Sequence, residues 1–325
     1  MAPILETQNL HAYFFTKAGT VRAVNGVDLT LMEGQVLALV GESGSGKTAT
    51  ALAMIGLLPY PGKVVEGEVR YQGEDLLRAS ESRWREVRGK EISMVFQDAQ
   101  AALNPTLSIG QQVEELLATH TRLGKRELRA RAIELLTQVD LPEPELMLRR
   151  YSFHLSGGQC QRVMLSMATA LSPRVLIADE PTSNLDVTLQ AEMLARLKRL
   201  QQEMNTSILL ITHDMGVVAQ MADEVAVMYA GTIVERAETR LLFRHPSHPY
   251  TWALFQALPR LDQRRSLRPL RGTPPDMINL PDQCPFIPRC PKATNVCRLS
   301  PRPPLDQGEA GHPVACYNPM LEPQE

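Results

Sequence analysis

GESGSGKT at Gly41–Thr48 lies between the apolar run VLALV at 36–40 and the helical stretch ATALAMIGLL at 49–58. A strand, a glycine-rich turn and a helix, in that order, is the setting in which GxxxxGK[ST] cradles phosphate. Gly41, Gly44 and Gly46 let the backbone fold tightly, so that its N–H groups point at phosphate oxygens while the following helix N-terminus adds a favourable dipole. Lys47 is placed to reach the β- and γ-phosphates and Thr48 to hold Mg²⁺. The competing reading is a glycine-rich turn that merely contains Lys-Thr. The agreement of strand, loop and helix weighs against it.

Further along, VLIADE at 175–180 is an apolar strand that ends in two carboxylates. Alone, such an ending is usually a solvated strand end. Paired with the phosphate loop, Asp179 is expected to orient Mg²⁺ or its water and Glu180 to polarise the attacking water. Between Leu5 and about Ala230, VLALV, VLIA at 175–178 and ILLIT at 208–212 alternate with helical stretches. The pattern predicts an α/β domain with a largely parallel, buried sheet. From Ile109 to Val139 the period changes. Ile109, Val113, Leu116, Leu128, Ala132, Leu135 and Val139 recur at three- and four-residue intervals, which predicts an all-helical insert.

Thirty-four basic residues nearly cancel 36 acidic ones in the 325-residue chain, so no global positive field recruits nucleic acid. The N-terminus MAPILETQNL lacks a basic leader, and no apolar run approaches the ~20 residues that cross a bilayer. The expectation is a cytosolic chain that meets the membrane through a partner. After Gly231 the character shifts to HPSHPY at 245–250, an expected helix TWALFQAL at 251–258, and a tract in which Pro274, Pro275, Pro281, Pro285, Pro288 and Pro291 forbid regular helix or central strand. So little apolar content cannot easily build its own core, which makes an inorganic staple attractive there.

LSGGQ at 155–159 is a second glycine-rich stretch that simple phosphate-loop enzymes do not need. With it the chain resembles the ATP-binding cassette (ABC) ATPases over residues 5–235. The resemblance implies a mainly parallel core with an antiparallel β subdomain, in a cassette over 1–235 with a helical subdomain near 105–165. It assigns Gly41, Glu42, Ser43, Gly44, Ser45, Gly46, Lys47 and Thr48 to ATP, and Thr48, Gln97 and Asp179 to Mg²⁺. It gives Glu180, His213 of LITHD and Gln97 of VFQD catalytic roles, and makes Asp186 of SNLD the D-loop residue. Ser156, Gly157, Gly158 and Gln159 would act in trans on nucleotide held by a partner; Ser156 can equally cap the helix that follows. Phe14, nine residues before Ala23, falls where the family stacks an aromatic on adenine. Tyr13 and Phe15 could exchange roles with it, and the alternation of Leu10, Ala12 and Phe14 also suits a plain core face.

HPYT at 248–251, GTPP at 272–275 and CPFIPRCPKATNVC at 284–297 narrow the likeness to ATP-binding subunits of dipeptide, oligopeptide and nickel importers, with an extension over 236–325. That likeness implies a homologous second ATPase subunit, two transmembrane permeases, an external solute-binding protein and a seat on the cytoplasmic side of the membrane. Peptides lead as the solute, ahead of nickel or metal chelates, glutathione and oligosaccharides. A nucleic-acid machine on the same cassette usually adds a coiled coil, a second cassette or a basic arm, and none is visible. Ala99 after the Q-loop, Cys160 after the signature and Asn184 in the D-loop depart from the family pattern without removing a catalytic group.

Cys284, Cys290, Cys297 and Cys316 fall within the last 42 residues at spacing C-x5-C-x6-C-x18-C, while Cys160 stands alone. Four thiolates suit a tetrahedral zinc or a four-iron cluster, but the close C-x2–4-C pairs usual for structural zinc are absent. The importer resemblance favours a [4Fe-4S] cluster, with zinc second and disulfides third. Cys160 reads as a small residue that fits the signature helix rather than a reactive thiol.

Overall fold

Runs of Val, Leu and Ile without polar interruption become strands buried on both faces. A computed structural model describes residues 2–183, 185–257, 270–278, 280–305 and 311–320. Among them ten strands follow in chain order: β1 (Pro3–Thr16), β2 (Gly19–Met32), β3 (Val36–Val40), β4 (Gly62–Tyr71), β5 (Glu74–Asp75), β6 (Ile92–Val95), β7 (Val175–Asp179), β8 (Ser207–Thr212), β9 (Glu224–Tyr229) and β10 (Thr232–Glu238). The chain divides into two compact units. One comprises residues 1–4, 31–35 and 78–211, and the other 5–30, 36–77 and 212–325. They are called here the signature unit and the phosphate-loop unit.

In the phosphate-loop unit β3 runs parallel to β9, with Leu37 opposite Glu224 and Val40 opposite Val227, and β9 turns back into antiparallel β10. Every residue of VLALV is fully buried, so each of its larger side chains contributes about 1.5–3 kcal/mol of burial. The expected antiparallel layer is present in the same unit: β1 pairs antiparallel with β4 from Leu5–Tyr71 to Phe14–Gly62, and β5 extends β4.

In the signature unit β6, β7 and β8 are parallel neighbours, with Ile92 opposite Val175 and Val175 opposite Ser207. The helical insert forms as the period predicts, as helices Ile109–His120 and Lys125–Gln138. Ser108 and Gln111 close a capping box at the start of the first. Ile109, Val113, Leu128, Ala132, Leu135 and Val139 are buried. Leu117, four residues after Val113, takes the inward position, leaving Leu116 half-buried.

Beyond β10 the described chain is loop with short turns: helices Thr239–Arg244, Pro249–Gln256 and Asn295–Leu299, and a 3₁₀ turn Ile287–Arg289. The helix expected over 251–258 thus begins at Pro249, where proline suits the first helical position; Leu258 lies outside the described residues. Tyr250, Phe255 and Phe286 of this segment share one buried cluster with Ala38 and Val40 of β3 and Val225, Val227 and Tyr229 of β9. The rings of Tyr229 and Tyr250 lie 4.6 Å apart and those of Tyr229 and Phe286 meet edge-on at 5.3 Å, within the range of favourable aromatic pairs. Among the described residues no helix is long and apolar enough to cross a membrane.

Candidate nucleotide site

The phosphate loop is held in a conformation that only glycine permits at its two ends. Gly46 has φ +109°, and a Cβ there would stand 2.1 Å from the Ala23 carbonyl oxygen. Gly41 would likewise meet the Met228 carbonyl at 2.2 Å. Helix Lys47–Met54 starts immediately, and no side chain caps it, so its first-turn N–H groups are not claimed by a capping side chain. Lys47 is buried, with Nζ donating to the carbonyls of Gly41 at 2.8 Å and Glu42 at 2.9 Å. Thr48 is half-buried on the first helical turn, while Ser43 and Gly44 are exposed at the tip of the loop.

Glu42 turns the other way. Its backbone N–H donates to the buried Tyr250 Oη at 2.8 Å, and its carboxylate takes a bidentate pair from Arg289, at 2.7 and 2.9 Å. Arg289 also donates to Tyr229 Oη at 3.2 Å and to the Arg271 carbonyl at 2.9 Å. The bond to Glu42 holds the Arg289 guanidinium above its ordinary pKa, and burial pushes the Tyr250 phenol up. Sequence reasoning placed Glu42 among the ATP contacts and missed Arg289 and Tyr250. Both sit in the stretches HPYT and CPFIPRC, whose composition carries no sign of what they touch.

Within the signature unit, Asp179 ends β7 at 1% exposure and Glu180 follows at 8%. Glu180 has φ +49°, a left-handed backbone that costs a non-glycine residue of order 1 kcal/mol or more and clusters at functional positions. Ser183 ties three predicted elements together. Its hydroxyl donates to the Glu180 carbonyl at 2.9 Å and approaches that of Gln97 at 3.5 Å, and its own carbonyl accepts from Gln161 of the signature helix at 2.6 Å. Gln97 itself is exposed after β6, and Ala99, the departure from the family's Pro, opens helix Ala99–Ala102 with Asp98 as its N-cap.

Ser156 caps the signature helix Gly157–Thr169 through a reciprocal box with Gln159, at 3.3 and 3.0 Å. Ser156 and Gly157 are exposed, Gly158 and Gln159 half-exposed. Cys160 is fully buried, its Sγ 3.5 Å from the Ser152 carbonyl, and burial raises its pKa, as suits a packing residue. Asp186 caps helix Val187–Met204 through Leu189 N–H at 2.9 Å; Asn184 lies outside the described residues.

His213 belongs to the phosphate-loop unit, exposed at the bend after β8. On β1, Leu10 and Ala12 are buried and Phe14 half-buried, its ring over Gly62, where an added Cβ would come within 2.7 Å. Tyr13 is hydrogen-bonded to Asn25 at 3.2 Å, whereas Phe15 is 48% exposed.

Cys284, Cys290, Cys297 and Cys316 line one pocket, together with His248 and Phe286. The backbone N–H groups of Phe286, Lys292 and Asn318 each reach the sulfur of the cysteine two residues earlier, the last at 3.4 Å. His248 accepts from Tyr250 N–H through Nδ1, while its buried Nε2 has no hydrogen-bond partner among the described residues. Four cysteines on one pocket, three of them with amide donors, are a donor set whose chemistry fits a thiolate-bound inorganic group. The expected ligand set is nevertheless not closed, for among the described residues no three His, Cys, Asp or Glu side chains stand together as metal ligands. Burial pushes up the thiols of Cys284, Cys290 and Cys316, the last to about 11, so a group bound there would have to release their protons as it binds.

A family model described as ABC transporter matches residues 24–183, and one described as oligopeptide/dipeptide transporter, C-terminal region, matches 234–297. The chain is 45% identical to the dipeptide transport ATP-binding protein DppD of Bacillus subtilis (strain 168), over 98% of this chain and 95% of that one. It is 42% identical to the oligopeptide transport ATP-binding protein OppD of Salmonella typhimurium, over 98% of this chain and 95% of that one. Among solved structures, the dimeric cassette MJ0796 bound to ADP and Pi is similar at TM-score 0.66 and 27% identity, covering 73% of this chain and 99% of that one.

Proposed function

This chain belongs to the ABC transporter ATP-binding proteins that carry the oligopeptide/dipeptide C-terminal region, and from that premise we propose that it drives the uptake of dipeptides or oligopeptides. It is an ATPase of the cassette class. The observation that carries the reading is a GxxxxGKT loop whose Gly41 and Gly46 leave no room for a side chain, in a chain similar over nearly its whole length to peptide-transport subunits.

In this reading residues 1–235 form the cassette and 236–325 the importer-type extension. The loop amides and Lys47 bind the β- and γ-phosphates, and Thr48, Gln97 and Asp179 hold Mg²⁺. Phe14 stacks on adenine. Glu180 polarises the attacking water, with His213 beside the γ-phosphate. Ser156, Gly157, Gly158 and Gln159 act on nucleotide held by a homologous second subunit, with Asp186 in the loop between the two. The exposure of Ser156 and Gly157 suits that role. Two permeases carry the solute inward from an external binding protein, and this chain sits against them on the cytoplasmic side. The four-cysteine pocket takes a [4Fe-4S] cluster, zinc being the second choice. Such a group would bind through the thiolates and cross-link a proline-rich segment.

Replacing Glu180 with Gln keeps the phosphate cradle and removes the charge that polarises water. Binding of MgATP should remain near wild type while turnover falls by a factor of roughly 10² or more. Turnover close to wild type would remove Glu180 from the mechanism. Lys47→Ala should weaken binding itself, and unchanged affinity would overturn the reading of the loop.

A further inference from the structure

We infer that the C-terminal extension braces the phosphate loop, and that Arg289 is a positioning residue for ATP which cancels the Glu42 carboxylate beside the phosphates. The inference rests on the reading of Gly41–Thr48 as the ATP cradle.

Three separate stretches of the extension reach the loop. Tyr250 takes the Glu42 N–H, Arg289 takes the Glu42 carboxylate, and Pro274, Pro275 and Met277 share a small cavity with Glu42, Ser43, Gly44 and Ser45. These are the motifs HPYT, CPFIPRC and GTPP, which are scattered over about forty residues of sequence and meet at one place.

A carboxylate in a loop built for a polyanion works against binding unless something neutralises it. Arg289 does so with two parallel hydrogen bonds, a geometry that lysine cannot reproduce. Its side chain is only 5% exposed and that of Glu42 24%, so solvent screens the pair weakly. The guanidinium is fixed from its other side, with Nε on the Arg271 carbonyl and the rings of Tyr229 and Phe286 at 5.8 and 5.9 Å. It closes the turn Ile287–Arg289, which Cys284 and Cys290 bound. The turn between two cysteines of the thiol pocket therefore carries the side chain that pairs with the phosphate loop.

The test is steady-state ATPase and equilibrium MgATP binding on the full-length chain. Arg289→Gln uncovers the carboxylate and should raise KM for ATP about tenfold while kcat changes less than about threefold. Arg289→Lys keeps the charge but not the fork, and should fall between. The double variant Glu42→Gln, Arg289→Gln removes both charges and should bring KM at least about threefold below that of Arg289→Gln alone. A merely structural arginine would instead lower the active fraction, hence kcat, leave KM alone and gain nothing from the second change. That pattern would overturn the inference, as would an Arg289→Gln chain with wild-type KM. If Arg289→Gln unfolds, the KM values of Arg289→Lys and of the double variant decide. A wild-type chain that binds MgATP no better than Lys47→Ala would instead bring down the cradle, and the brace with it.

Discussion

Gly46 shows how much a single position carries. Its left-handed φ of +109° would strain any side chain, and the nearest obstacle to a Cβ is backbone, the Ala23 carbonyl at 2.1 Å, which cannot swing aside. Gly46→Ala should therefore cost roughly 2–4 kcal/mol of stability and abolish tight MgATP binding, measured by thermal unfolding and nucleotide titration. A variant as stable as wild type would mean that the loop relaxes freely. Residues such as Gly46 and Lys47 were legible because their chemistry is local, set by neighbours within the same eight-residue pattern. Glu42 was legible only in half. Its partner Arg289 lies 247 positions away, and no spacing rule connects an acidic loop residue to an arginine in a proline-rich tail.

In the proposed reading the N-terminus of the signature helix serves two purposes that one substitution series can separate. Ser156 closes a capping box with Gln159, and its hydroxyl is also exposed where a second subunit's nucleotide could meet it. Ser156→Ala loses the cap, at about 1 kcal/mol of stability. Ser156→Asp keeps the cap but places a charge against phosphate. If the serine acts in trans, both variants should lose ATPase activity tenfold or more, with the aspartate chain melting near wild type. Activity that follows stability across the pair would reduce Ser156 to a cap. Elements were read well where one period dominates: VLALV is a buried strand, and the apolar seam of the helical insert lies inward from Ile109 to Val139. Leu116 is half-buried, because the inward position of that turn goes to Leu117, four residues after Val113. Helix Ala99–Ala102 was not foreseen, because a four-residue turn started by Asp98 leaves no periodic trace.

On the scale of the molecule, the motifs singled out in the sequence divide between the two units. The phosphate loop, His213 and the four cysteines belong to one, and Gln97, the signature, Asp179, Glu180 and Asp186 to the other. The proline tract was legible as a segment without regular structure, but its aromatic packing on β3 and β9 was not, because Tyr250 and Phe286 look like isolated aromatics in sequence. That packing turns the cysteine pocket into a neighbour of the nucleotide loop. Phe286 lines the pocket and sits in the cluster with Val40, and Arg289, next in sequence to the pocket's Cys290, pairs with Glu42. An inorganic group that fixes Cys284 and Cys290 should thus stiffen the turn that presents Arg289. Protein purified without air should contain iron and acid-labile sulfide with brown charge-transfer absorption, and Cys290→Ser should lose all three and melt at lower temperature. The same variant should raise KM for ATP in the direction of Arg289→Gln, since the arginine's turn loses its anchor. Wild-type protein with zinc in place of iron and sulfide would hand the pocket to the second metal, and protein with neither would leave it a thiol cluster. Loss of iron without any change in KM would show that the turn is held by its aromatic neighbours alone.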